Sequence, residues 1–212
     1  MKIIGLVALS CLLTACGAMG HVQTNDPLVK TQQAYSLMSQ DRFLMAEDYL
    51  FSAQRILEEN PNPAVEADVH FTLGNLYKNE GYHRHKVQFE KLGTYDGTYM
   101  KSVKHFRKAK ELFNGVGSDV GVAKSLLGLG SAYGLGGDKK KGCEAQRSAL
   151  DVYNSAKSEG RITSEPGLIN SEPIIYNPNY KTLGEMAMAM ICSSCMQQPW
   201  TTKEACFSHF KK

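Results

Sequence analysis

Cys192, Cys195, Cys206 and His209 spell C-x2-C-x10-C-x2-H close to the end of a 212-residue chain. Three thiols and an imidazole at these separations can surround a tetrahedral zinc ion, which takes sulfur and imidazole donors. The same cysteines can instead oxidise, and a Cys-x2-Cys on one helix can be stapled to a second helix through Cys206. A third chemistry, thiol–disulfide exchange at Cys192 and Cys195, needs a strand-to-helix context. The pair falls instead inside the apolar helical run "LGEMAMAMICSSCM".

Other residues of chemical interest are thinner on the ground. His83 and His85 stand two apart, and with His70 and His105 they make a weak metal-ligand set, for which scattered surface histidines are the simpler reading. The glycine-rich "GLGSAYGLGGDKKKG" has neither the Gly-Lys-Ser/Thr of a phosphate loop nor a preceding strand. No Gly-x-Ser-x-Gly, no His-Glu-x2-His and no carboxylate pair in a suitable context is present. No residue is assigned a catalytic role, no cofactor is expected, and the chain is read as a binding protein and not an enzyme. Lys and Arg total 24 against 21 Asp and Glu, a formal charge of +3, which gives the chain as a whole no strong field to hold a nucleic acid or an anionic membrane surface. The local basic clusters at 101–110, 139–141 and 211–212 are expected to be solvated faces.

The N-terminal end sets the compartment. Lys2, an apolar run from Ile3 to Leu13 and two small residues form the three-part layout of a secretory signal. The run is too short for a transmembrane helix of about 20 apolar residues. Leu13, Thr14, Ala15 and Cys16 resemble the bacterial lipobox, in which cleavage precedes acylation of the cysteine. The resemblance implies a signal peptide over 1–15, a lipidated Cys16 that anchors the chain, and a tether up to residue 27. Gly17 occupies the place where an aspartate usually retains such proteins in the inner membrane, so an outer-membrane, periplasm-facing location is implied. In that oxidising compartment the remaining Cys143, Cys192, Cys195 and Cys206 are expected to form two disulfides, with three connectivities open.

Behind the tether, apolar residues recur at helical spacing. One set runs from Phe43 through Leu50 to Leu57, another from Val65 to Tyr77, and others from Tyr99 to Phe113, Ala123 to Tyr133 and Ala149 to Tyr153. Breaks fall at "NPNP", "NGVGSD" and "GLGGD". No stretch alternates with period two, so the chain is expected to be all-α. "LGNLYKNEG" (73–81) and "LGSAYGLGG" (129–137) repeat one another, and the intervals from Ala53 to Leu73 and from Ala109 to Leu129 are equal. This pattern resembles the tetratricopeptide repeat, whose helix-turn-helix unit carries Leu-Gly, Tyr, a small residue, Phe and Ala. The resemblance implies a solenoid of three repeats over 28–157, in which Gly74, Gly130, Ala53, Ala109 and Ala149 permit close helix approach. The spacing departs from the family's period of about 34 residues, and an insertion near 82–98 is a candidate contact loop. A Pro-rich loop and a Cys-bearing helical cap are expected over 158–212, with Met186, Met188, Met190 and Met196 as core filling.

In that family the first helices of the repeats line the binding surface. Carried onto this chain, the face comprises Tyr35 and Met38, then Asp68, Phe71, Asn75 and Lys78, then Lys124, Leu127 and Ser131. The implied function is binding of a protein partner, as an adaptor in envelope or secretion assembly. A second expectation is an immunity lipoprotein that neutralises a type VI antibacterial effector such as a phospholipase. A third, from the C-terminal cysteines, is a thiol-redox or zinc protein.

Overall fold

The computed structural model describes residues 24–163, 180, 182–195, 202, 205, 206 and 208. The signal-like segment, Cys16 and the tether as far as residue 23, most of the Pro-rich loop, Met196 and His209 lie outside the described residues, whereas the expected tether ends in the Asp26 cap and Pro27 of the first helix. Among the described residues there is no strand, as expected for an all-α chain.

Helix α1 spans Pro27–Ser39, where Pro27 opens the first turn and the Asp26 carboxylate accepts from the Leu28 N–H at 2.8 Å. After a short turn α2 covers Phe43–Glu59. The "NPNP" break supplies both the Asn62 cap and the first-turn proline of α3, Pro63–Lys78. Two short helices follow, α4 (Glu80–Arg84) and α5 (Lys86–Lys91), and then α6, Met100–Gly115. Helix α7, Asp119–Leu135, is capped by Ser118, and α8, Lys139–Ser158, by Asp138. Gly117 and Gly137 take the left-handed φ values of 71° and 88° that these two turns require. Finally, α9 covers Leu183–Ser194 behind a Thr182 cap.

Three helix pairs form the body: α1 with α2, α3 with α6, and α7 with α8. Turns this short force neighbours to run antiparallel. The α3–α6 pair is antiparallel too, since Gly74 meets Ser102, His70 meets His105 and Glu66 meets Lys108. Each pair leans on the next through α2–α3, α6–α7 and α8–α9, while first helices touch first helices through α1–α3, α3–α7 and α7–α9. The antiparallel order gives the stack two edges. One carries the turn at 40–42, the segment 79–99 and the turn at 136–138; the other carries 60–62 and 116–118.

Three apolar clusters fill the interior, one under the first pair, one around Phe106, and one shared by α7, α8 and α9. Phe106 is fully buried and its ring lies against Gly74 of α3 and Gly128 of α7. The same arrangement recurs at the end of the stack, where Tyr153 of α8 packs against Gly184 of α9. Close approach at Gly130 is to Gln146 and to the Gly142 carbonyl of α8. As expected, Met186 is buried and Met188 and Met190 pack against the C-terminal cluster.

Candidate functional site

The face drawn from the first helices is built by α1, α3 and α7, which lie side by side. Five of its nine residues are buried: Tyr35, Met38, Phe71, Asn75 and Leu127. Tyr35 and Met38 belong to the cluster under the first pair, and Phe71 meets Phe106 edge-on with centroids 5.5 Å apart. Leu127 joins the C-terminal cluster. What remains partly exposed is polar: Asp68 and Lys78 of α3, and Lys124 and Ser131 of α7. Asp68 and Lys124 sit close enough to interact across the α3–α7 contact. Burial raises the Asp68 pKa, and the Lys124 charge partly offsets this. The Lys78 ammonium stands 5.6 Å from the Phe106 ring centroid. Beneath them Asn75 is fully buried, and neither of its amide atoms has a hydrogen-bond partner among the described residues. An unpaired buried amide costs free energy, so this is where α3 departs from simple core packing.

The insertion is a folded element and not a bare solvent loop. Tyr82 and Phe89 are fully buried with ring centroids 4.5 Å apart. The Tyr82 hydroxyl donates to the Thr94 carbonyl at 2.9 Å and accepts from the Asp96 N–H at 2.6 Å. Asp96 in turn accepts from the Lys101 N–H, which caps α6 even though Tyr99 before it is in the left-handed conformation. Burial pushes the Asp96 carboxyl up, but hydrogen bonds from Lys101 and Thr98 outweigh this and hold its pKa low. Arg84 and His85 tie the insertion to Asp41 in the α1–α2 turn at 2.8 and 3.2 Å.

The four histidines separate. His83 faces Tyr95 and His85 faces Asp41, whereas His70 and His105 pair across α3 and α6 with Nδ1 atoms 2.9 Å apart. The expectation of surface groups fails for the last two, because α3 is enclosed nearly all round. Burial lowers the His70 pKa to about 4 and that of His105 to about 3, so both rings are neutral near pH 7.

Sequence reasoning passed over Glu47, which is buried and accepts from the Tyr77 hydroxyl at 2.8 Å, joining α2 to α3. Its signal was a charge inside an apolar stripe, four residues after Phe43 and three before Leu50. Burial raises its pKa, against the Tyr77 hydrogen bond and the Lys101 charge.

The cysteines form two disulfides, Cys143–Cys195 and Cys192–Cys206. Cys192 and Cys195 are therefore not bonded to one another. A sulfur in a disulfide is neither a thiolate nucleophile nor a metal ligand. The two bridges fasten α9 to α8 on one side and to the segment around Cys206 on the other.

No protein-family model matches the chain. Neither a curated protein nor a solved structure is significantly similar to it.

Proposed function

We propose that the protein is a lipid-anchored, periplasm-facing binding protein of the outer membrane that serves as an adaptor in envelope or secretion assembly. Cys16 is its acylated N-terminus, and its body is a tetratricopeptide-like solenoid of three helix pairs capped by a disulfide-fastened α9. The observation that carries the scaffold reading is the contact order: each first helix touches the next first helix, and each second helix touches the following pair. Stacking of that kind buries a continuous core and leaves an extended face for a partner. On that face the partner's chemistry is set by the polar group Asp68, Lys78, Lys124 and Ser131, with Asn75 below. Such a mixture suits a peptide or protein surface offering both charges and amides.

The test is co-purification from envelope extracts with a chain carrying Cys16→Ser, alone and with Lys124→Glu plus Ser131→Arg. A partner retained by the first chain, lost with the face variant and kept with Arg147→Glu on α8 supports the reading. Capture that the face variant leaves unchanged removes the binding face from this position. Incorporation of labelled palmitate into the wild-type chain and not into Cys16→Ser tests the anchor separately.

A further inference from the structure

The two edges of the stack differ in what they expose. Of seven large apolar side chains exposed among the described residues, five lie at the edge carrying 40–42, 79–99 and 136–138: Met45, Val87, Leu92, Met100 and Leu135. Val87 and Leu92 are 59% and 60% exposed, and Met100 and Leu135 are 54% and 55% exposed. Only Leu28 and Val116 stand at the other edge. Folding makes the first edge continuous. The insertion is tied to the α1–α2 turn through Asp41 and Arg84, and Gly136 of the α7–α8 turn packs against the Thr98 carbonyl at the foot of α6.

Cations frame these apolar tips. Two clusters far apart in sequence meet here, since the Arg107 guanidinium and the Lys141 ammonium both stand 5.8 Å from the Tyr133 ring centroid. Of the acids on this edge, Asp41, Glu90 and Asp138 are each engaged by a cation, namely Arg84, Lys86 and Lys141. Asp96 accepts from the Thr98 and Lys101 N–H groups, and Glu80 is exposed with no ion pair among the described residues. Lys91, Lys139 and Lys140 are exposed and form no ion pair among the described residues. The opposite edge carries Asp26, Glu58, Glu59, Asp119 and Glu159, of which Asp119 and Glu159 are engaged by Arg161.

We propose that the edge carrying Leu92, Met100 and Leu135 docks onto an anionic phospholipid surface, with the apolar tips entering the interface and Lys91, Lys139 and Lys140 meeting headgroup phosphates. Charge complementarity selects an anionic surface. The tips come from different elements, Val87 and Leu92 from α5 and its end, Met100 from α6 and Leu135 from α7, and this favours a bilayer over a protein, whose interface needs a contiguous apolar centre. A fluid interface accepts each tip separately, with the lysine ammonium groups at headgroup level. The anchor permits this orientation. The eight residue steps from Cys16 to Thr24 reach at most about 26 to 29 Å, whereas α1, with 13 residues, is about 20 Å long. The tether can therefore pass along α1 to the docking edge. The proposal uses the lipoprotein reading only to bring a bilayer within reach.

The experiment is co-sedimentation of the chain from residue 16 onward, carrying Cys16→Ser, with vesicles of phosphatidylethanolamine and phosphatidylglycerol and with vesicles of phosphatidylcholine alone. Every described helix is retained in that chain, and the missing acyl group separates this test from the anchor and partner readings. Selective binding to the anionic vesicles is expected. It should weaken at least tenfold in Lys139→Glu/Lys140→Glu and about tenfold in Leu92→Ser/Leu135→Ser. A Leu92→Trp chain, with Trp200→Phe to clear the background, should show a blue-shifted emission on vesicle addition. All four substituted edge positions are exposed, and circular dichroism checks that each variant is folded. No binding to anionic vesicles, or binding that both double variants retain in full, overturns the proposal. Loss of binding in the lysine variant alone, with no emission shift at Leu92→Trp, also overturns the proposal, because the apolar tips then take no part and the attachment is by charge alone.

Discussion

The Phe106 ring occupies the space that a side chain on Gly74 would need: a Cβ built there would lie 2.8 Å from the ring carbons. Gly128 of α7 meets the same ring, so one aromatic of α6 packs closely against two first helices. A mid-helix glycine costs about 1 kcal/mol relative to alanine, and here that cost is offset by the close approach it permits.

The sign of a Gly→Ala change should therefore depend on position. Gly74→Ala or Gly128→Ala forces the buried ring to move and is expected to destabilise the protein by about 1–3 kcal/mol, less the helix-propensity gain. Gly134→Ala lies in the same helix as Gly128 with nothing within 4 Å of the added carbon, so it should stabilise by about 0.5–1 kcal/mol. Urea unfolding of the three variants checks this. A stabilising Gly74→Ala would show that the ring yields at no cost.

Much of this was readable in the sequence, because a glycine in the middle of an apolar helix weakens the helix unless a neighbour packs closely against it. The Leu-Gly at 73–74, 129–130 and 183–184 marked three helices that pack closely against a neighbour, and the Asn, Gly and Pro breaks fell at the junctions between helices. Periodicity gives the apolar side of a helix but not which residue it meets, so the Phe43–Gly81 and His70–His105 contacts were hidden. The face drawn from the family resemblance also included Tyr35, Phe71 and Leu127, which are buried. α3 has α1, α2, α6 and α7 around it, and little of its surface is left over. In the insertion, Tyr82 and Phe89 obey no repeat, and only tertiary contacts show that they form a small core.

Disulfide removal should be graded by loop size. Cys143–Cys195 closes 52 residues and Cys192–Cys206 closes 14, and chain entropy assigns them about 4 and about 3 kcal/mol. The Cys143→Ala/Cys195→Ala variant should thus have the lower denaturant midpoint, because it also frees α9 from α8. Peptide mapping without reductant should recover these two pairings; a Cys192–Cys195 link would contradict the connectivity and restore the redox reading.

The His70–His105 pair should make the protein acid-sensitive in a defined window. Both rings are held neutral, with pKa values of about 4 and about 3 against 6.5 for a free histidine. Below pH 6.5 the unfolded chain takes up protons that the folded pair refuses, so stability falls as pH drops, until the folded pKa values are reached. The loss is at most about 1.4 kcal/mol per pH unit for each histidine. Burial sets the direction, reinforced by Lys104 and Lys108 near His70 and by His70, Lys104 and Lys101 near His105. Replacing both by Gln should flatten the dependence between pH 6.5 and 4.5, measured as the urea midpoint against pH. In the wild-type chain the imidazole carbon-bound proton resonances of His70 and His105 should not titrate above pH 5. Titration of either near 6.5 would mean that the α3–α6 interface admits the charged ring and that its neutrality is not what holds the two helices together.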